Sequence, residues 1–304
     1  MIKNRIQILK EKMLSQPRYV SIEQALIITK TYKQHENEPI ILKRAYALAN
    51  ALRELEIGIE NEELIVGNRT KGVRYGVVFP ESGISWVDRD FETIPTRKQD
   101  KFLVRDEDIK IFRKQIVPYW KGKSLEDVIK QNFGQEISAI NKVVKINQTD
   151  HAQGHICPNV EKWLQKGVSG LLQDAQNHFE NADENKKNFY QAIIIVMKAV
   201  QDFMLRYHDL LIATAKTDEK NRASLIKVAE ICKNISQKPP QTFHEAVQAT
   251  WFLFVILHME SNASSFSPGR LDKILYPYSF RAFSSKTRYN KARNTKPDNI
   301  KSNH

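Results

Sequence analysis

The run Asp150-His151-Ala152-Gln153-Gly154-His155-Ile156-Cys157-Pro158-Asn159 puts two histidines, a cysteine, an aspartate and a glutamine into ten residues. Asp150, His151, His155 and Cys157 are all metal-ligand types, and two histidines four apart share a face when they lie on a helix. Gly154 and Pro158 oppose a helix here, so the spacing does not build a metal site and none is assigned. Two readings remain for these residues: a hydrogen-bonded turn with solvated imidazoles, and a loop that lines a small-molecule pocket. A second polar loop, Glu260 to Arg270, contains Asn262, Ser264, Ser265, Ser267 and Gly269. Taken alone, it is an ordinary way to end a helix.

Both loops adjoin strongly apolar helical patterns. Asn159 is placed to cap a helix over 160–177, and Thr242 with Glu245 three residues later forms a capping box for a helix that runs to Met259. Helices over 184–216 and 220–235 fall between them, and their lengths exceed those of strands. Upstream, Ser21 and Gln24 fit a capping box ahead of Ala25, Ile28 and Tyr32. Pro39 opens a helix with an apolar stripe from Ile41 to Leu55, which Gly58 stops. Glu63 to Asn68 is short, apolar and closed by Gly67-Asn68, which predicts a buried strand or extended segment. Residues 69–105 scatter Gly, Pro and isolated aromatics without a period and are assigned to ordered loop. Helical pattern resumes over 107–115 and 124–132, with Glu126 and Asp127 in the first turn after Ser124. No internal repeat is apparent.

The chain has 304 residues, 41% of them hydrophobic, an ordinary content for a globular protein with a sizeable core. Cys157 and Cys232 are its only cysteines, which gives no disulfide framework and points to a reducing, cytoplasmic setting. The N-terminal residues lack the apolar core of a secretion signal, and the longest apolar runs are far too short to cross a bilayer. Half of the net charge of +12 lies in 279–304, where seven Lys or Arg face only Asp298. That segment has few apolar residues and no stripe, so it is predicted to be a disordered basic tail after a body spanning 1–278.

Gly154-His155, Pro158-Asn159 and Glu161-Lys162-Trp163-Leu164, with the Gly167-x-x-Gly170 spacing, resemble the substrate-pocket segment of glycyl radical enzymes of the pyruvate formate-lyase and glycerol dehydratase type. Thr242 to Trp251, Glu260 to Asp272 and Tyr276-Pro277-Tyr278 resemble the same family. Weaker matches reach back to Arg18 and to Glu63–Asn68. The resemblance implies a mainly α fold with few short strands, an incomplete N-terminal portion of the glycyl radical enzyme α/β barrel. It also implies a small hydroxylated or acidic substrate, bound here by Gln153, His155, Ser264 and Ser265. His155 matches the position that hydrogen-bonds substrate in hydroxyl-eliminating members. A neutral imidazole both donates and accepts, which suits holding a hydroxyl and protonating it as it leaves. Asn159 stands where many members have Asp.

In that family the cofactor is a glycyl radical installed by a radical SAM activating enzyme, and homodimers occur. The radical requires a Cys-x-Glu loop and a C-terminal Arg-Val-x-Gly-Tyr/Phe loop. Cys157-Pro158-Asn159 and Cys232-Lys233-Asn234 lack the Glu, and the glycine loop is missing. No residue of this chain is therefore assigned as catalytic, no cofactor is assigned to the chain itself, and the sequence reads as a truncated lyase or dehydratase, inactive alone. The resemblance breaks off after Tyr278. The alternative is a helical interaction protein that engages nucleic acid or an acidic partner through the basic tail. His155 and the Ser264/Ser265 segment are expected to lie together.

Overall fold

The computed structural model describes residues 2–60, 62–144, 155–261 and 265–279. In chain order these form α1 (Ile2–Ser15), β1 (Val20–Ser21), α2 (Glu23–Gln34), α3 (Ile40–Glu54), β2 (Gly76–Val77), α4 (Ser85–Asp90), α5 (Asp106–Ile111), α6 (Val117–Trp120) and α7 (Leu125–Ile140). Then come β3 (His155–Ile156), α8 (Val160–Glu180), α9 (Glu184–Ala215), α10 (Arg222–Gln237), α11 (Phe243–Glu260) and β4 (Ser265–Phe266), and residues 271–279 are again helical. The fold is mainly helical with few short strands, as the sequence predicts. Residues 280–304, almost the whole of the predicted basic tail, lie outside the described residues.

The principal core joins α3, α8, α9, α10 and α11 around Leu52, Leu164, Phe203, Tyr207, Cys232 and Phe252. Phe203, Tyr207 and Phe252 meet edge-on or tilted, with ring centroids 5.1 to 5.7 Å apart. The buried Trp163 Nε1 donates to the Ala249 carbonyl at 2.9 Å and ties α8 to α11, the two helices that adjoin the polar loops. A second core lies under α2 and holds Ile84, Phe91, Phe112 and Trp120.

Local chemistry sets the helix boundaries. Asn159 Oδ1 accepts from Lys162 N at 2.9 Å to start α8, and the Thr242–Glu245 capping box starts α11 as expected. Ser124 caps α7, which continues past the predicted boundary to Ile140 with a kink at Phe133. Gly167 interrupts α8 with φ of +63°, and a Cβ there would run into the backbone of Lys238 and Pro239 in the α10–α11 connection.

Two expectations are corrected and one is narrowed. Glu63–Asn68, expected as a buried strand or extended segment, is not a strand. Its backbone is paired by a side chain instead: Val66 N donates to Gln248 Oε1 at 2.9 Å, and Gln248 Nε2 donates to Val66 O at 2.7 Å. The Ser21–Gln24 capping box does not form, because Ser21 belongs to β1 and Gln24 is buried, donating to the Met259 carbonyl at 2.9 Å. Residues 69–105 are more ordered than a loop. They supply β2, which pairs parallel with β1 in the register Val20↔Gly76, together with α4 and a short 3-10 turn at Ile94–Thr96.

Candidate substrate-pocket site

The two polar loops meet. β3 and β4 pair in parallel with His155 opposite Ser265 and Ile156 opposite Phe266, and Ser267 N donates to the Ile156 carbonyl at 2.7 Å. Parallel neighbours need a long crossover, and here α8 through α11 provide it. The ladder is two residues long, too short to be held by its own hydrogen bonds, so the helices at its ends fix its position. Asn159, three residues after β3 begins to turn into α8, spends its side chain on capping, a task Asp performs equally well.

On the exposed side of this ladder His155 Nδ1 lies in a close hydrogen bond with Ser265 Oγ. Among the described residues its Nε2 meets no hydrogen-bond partner. Ser265 is half-buried and His155 is exposed. Gln153 and Ser264 lie outside the described residues, as do Asp150 and His151. Among the described residues no three His, Cys, Asp or Glu converge in a way that would hold a metal ion.

Aromatic contacts set the register of β4. The Phe266 ring is met edge-on by His258, 4.6 Å away, and by Phe254, 6.4 Å away, both from α11. His258 is itself oriented by donating from Nδ1 to the Phe254 carbonyl at 2.7 Å. Nothing in the sequence pattern singles these two out, beyond two aromatic rings four apart on an apolar helix. The loops touch again where Cys157 Sγ lies 3.5 Å from the point a Cβ on Gly269 would occupy, with Gly269 at φ of +68°.

Neither cysteine fits the thiyl role. Cys232 is fully buried in the principal core, and burial pushes its thiol up to about 12. Cys157 is exposed and free, and the residue two places on is the capping Asn159, with no carboxylate. Two apolar clefts lie elsewhere. One of about 410 Å³ is lined by Trp86, Val87, Phe91 and Phe102, and the other, of about 320 Å³, by Leu48, Trp163, Val196 and Leu253. Neither includes His155 or Ser265.

The model of the pyruvate formate lyase-like family matches residues 2–291. The chain belongs to that family. Its match runs past Tyr278 into the basic segment. The probable dehydratase YbiW of Escherichia coli (strain K12) is 33% identical over 271 residues, which cover 85% of this chain and 33% of the relative. The glycerol-bound form of the B12-independent glycerol dehydratase from Clostridium butyricum superposes with a TM-score of 0.85 at 31% identity, over 90% of this chain and 36% of that one. A glycyl radical enzyme from Archaeoglobus fulgidus gives 0.84 at 31% identity, over 91% and 37%. The chain thus spans about a third of the length of the relatives it matches. No described helix is long and apolar enough to cross a membrane.

Proposed function

We propose that this chain forms one wall of the substrate pocket of a glycyl radical dehydratase or lyase, with His155 and Ser265 holding a hydroxyl of a small hydroxylated or acidic substrate. Gln153 and Ser264 adjoin the pair in sequence and are proposed to contact the same substrate. The observation that carries this reading is the His155–Ser265 hydrogen bond across β3 and β4, formed by residues 110 apart in sequence. It agrees with the glycerol-bound relative in the kind of ligand such a surface would take.

His155 Nδ1 and Ser265 Oγ can share their hydrogen bond in either direction, and we propose the one in which the ring donates. With Ser265 Oγ accepting from Nδ1–H, Nε2 is left as the nitrogen that gains and loses a proton. In the imidazolium form Nε2–H donates to the substrate hydroxyl. When the C–O bond breaks and its electron pair leaves with the oxygen, in a step driven from outside this chain, transfer of that proton to the oxygen completes water and leaves a neutral ring that keeps its Nδ1–H on Ser265. Hydroxyl departure is thereby assisted without disturbing the ring's anchor.

Bond cleavage in this family draws on a glycyl radical and a partner thiol. Neither cysteine here fits that role, so no such step is assigned to this chain. The reading carries a radical-installing activating enzyme and a second copy of the chain as partners, and a cytoplasmic setting consistent with two free cysteines. The rival role, nucleic-acid binding through the basic 279–304 segment, draws no support from the dehydratases and radical enzymes that the chain resembles.

Saturation-transfer NMR with millimolar glycerol tests the reading. The wild-type chain should transfer saturation to glycerol, whereas H155A and S265A, both at an exposed edge and expected to fold, should lose most of it. Equal transfer to glycerol from wild type and H155A would remove His155 from the site.

A further inference from the structure

The loop that carries Ser265 leaves the C-terminal end of α11, where the last carbonyls of a helix have no partner within the helix. Here all four are taken. Leu257 O accepts from Ser261 N at 3.1 Å. His258 O accepts from Arg69 Nη1 at 3.1 Å, Met259 O from Gln24 Nε2 at 2.9 Å, and Glu260 O from Arg44 Nη2 at 3.0 Å. The three side chains come from three separate segments: α2, α3 and the stretch before β2.

Two of the three are guanidinium groups at the negative end of the helix dipole, the favourable placement for a cation. Arg69 is half-buried, and its partial burial lowers its affinity for a proton. Among the described residues it forms no salt bridge, so the helix end is its counter-charge. Arg44 is fixed more elaborately. Its Nη1 donates to Glu81 Oε1 at 3.1 Å, its Nη2 reaches Glu260 Oε1 at 2.5 Å as well as the carbonyl, and Tyr32 OH donates to Glu81 Oε1 at 2.6 Å. Burial and the Glu81 carboxylate both push the Tyr32 hydroxyl's pKa up, so it stays a donor.

We infer that Gln24, Arg44 and Arg69 are positioning residues that aim the Ser265 loop at His155. Ser265 is the fourth residue after Ser261, where the chain leaves the clamp. A helix end held from three directions, so few residues before β4, restricts where β4 can begin. The inference rests on the proposed role of the His155–Ser265 pair, and none of the three positioning residues is placed in contact with substrate.

Amide hydrogen exchange of Ser267, whose N–H bonds across the ladder to Ile156, reports the loop's position without any ligand. In Arg44→Gln, Ser267 should exchange about ten- to a hundredfold faster, the weight of a lost charge-assisted hydrogen bond, while core amides of α9 and α10 keep their rates. Arg44→Lys should fall between, since one ammonium cannot span Glu81 and the Glu260 carbonyl together. Gln24→Leu removes a different carbonyl partner, leaves the ion pairs intact and should accelerate Ser267 in the same way.

Unchanged Ser267 exchange in Arg44→Gln and Gln24→Leu overturns the inference. So does uniform acceleration across α9 and α10, or failure of both variants to fold, since the clamp would then serve stability alone. The proposed binding role fails separately: wild type that transfers no saturation to glycerol sinks it while the exchange comparison still stands.

Discussion

Gly167 and Gly170 are three residues apart in one helix and should respond to alanine in opposite directions. A Cβ at Gly167 would lie 2.9 Å from both N and Cα of Pro239 and 3.2 Å from the Lys238 carbonyl carbon, all backbone atoms that cannot swing aside. The residue also sits at φ of +63°, which costs an L-residue about 1–2 kcal/mol. Adding about 1–3 kcal/mol for forcing a methyl into packed backbone gives about 2–5 kcal/mol of destabilisation for G167A. A Cβ at Gly170 would meet nothing nearer than Lys166 Cβ at 3.4 Å, on an otherwise helical backbone. G170A should therefore be neutral or stabilising, by up to about 1 kcal/mol, through reduced entropy of the unfolded chain. Urea unfolding followed by circular dichroism separates the two. Equal midpoints for G167A and wild type, or a G170A as damaged as G167A, would refute the steric account of this Gly-x-x-Gly spacing.

Burial raises the Glu63 carboxyl from its ordinary value to about 7, against the pull of the Glu60 amide and Lys12. The folded state thus holds a proton that the unfolded state has released, and Glu63's contribution is full below about 4.5 and lost as pH rises through about 7, by no more than about 3 kcal/mol. The difference in unfolding free energy between wild type and E63Q, measured from pH 5 to 8, should drift against wild type as pH rises; a constant difference would contradict this. Q248L should cost about 2–4 kcal/mol in the same denaturation assay, because it strands both the amide and the carbonyl of buried Val66, and a loss under about 0.5 kcal/mol would show that water replaces the pair. Iodoacetamide at pH 8 should label Cys157 in the folded chain and reach Cys232 only on unfolding, as mass spectrometry of the peptides would show; comparable labelling at both would contradict the burial of Cys232.

The long helices were legible because they bury continuous apolar stripes and start at side chains whose capping needs only three residues of context. Asn159 and Thr242 both cap as their spacing implies. Legibility failed where a buried side chain replaced backbone. Glu63–Asn68 has the composition of a buried strand, and Val66 is paired as one would be, yet its neighbour is the Gln248 amide, 182 residues away. Gln24 looked like half of a capping box because nothing local reveals that Met259 needs its donor. For the site, the juxtaposition of His155 with Ser265 came from a family resemblance and not from any period in the chain. Arg44 and Arg69 were invisible, since a helix end is clamped from whatever segments the fold brings to it.

Nitrogen-15 NMR of the imidazole tests directly whether Ser265 holds the His155 ring by Nδ1 and leaves Nε2 to the substrate. In neutral His155 the account predicts Nδ1–H as the protonated nitrogen, reversion towards Nε2–H in S265A, and a saturable shift of the Nε2 resonance on adding glycerol to wild type. A ring that is Nε2–H in wild type and S265A alike, with no response to glycerol, would contradict it.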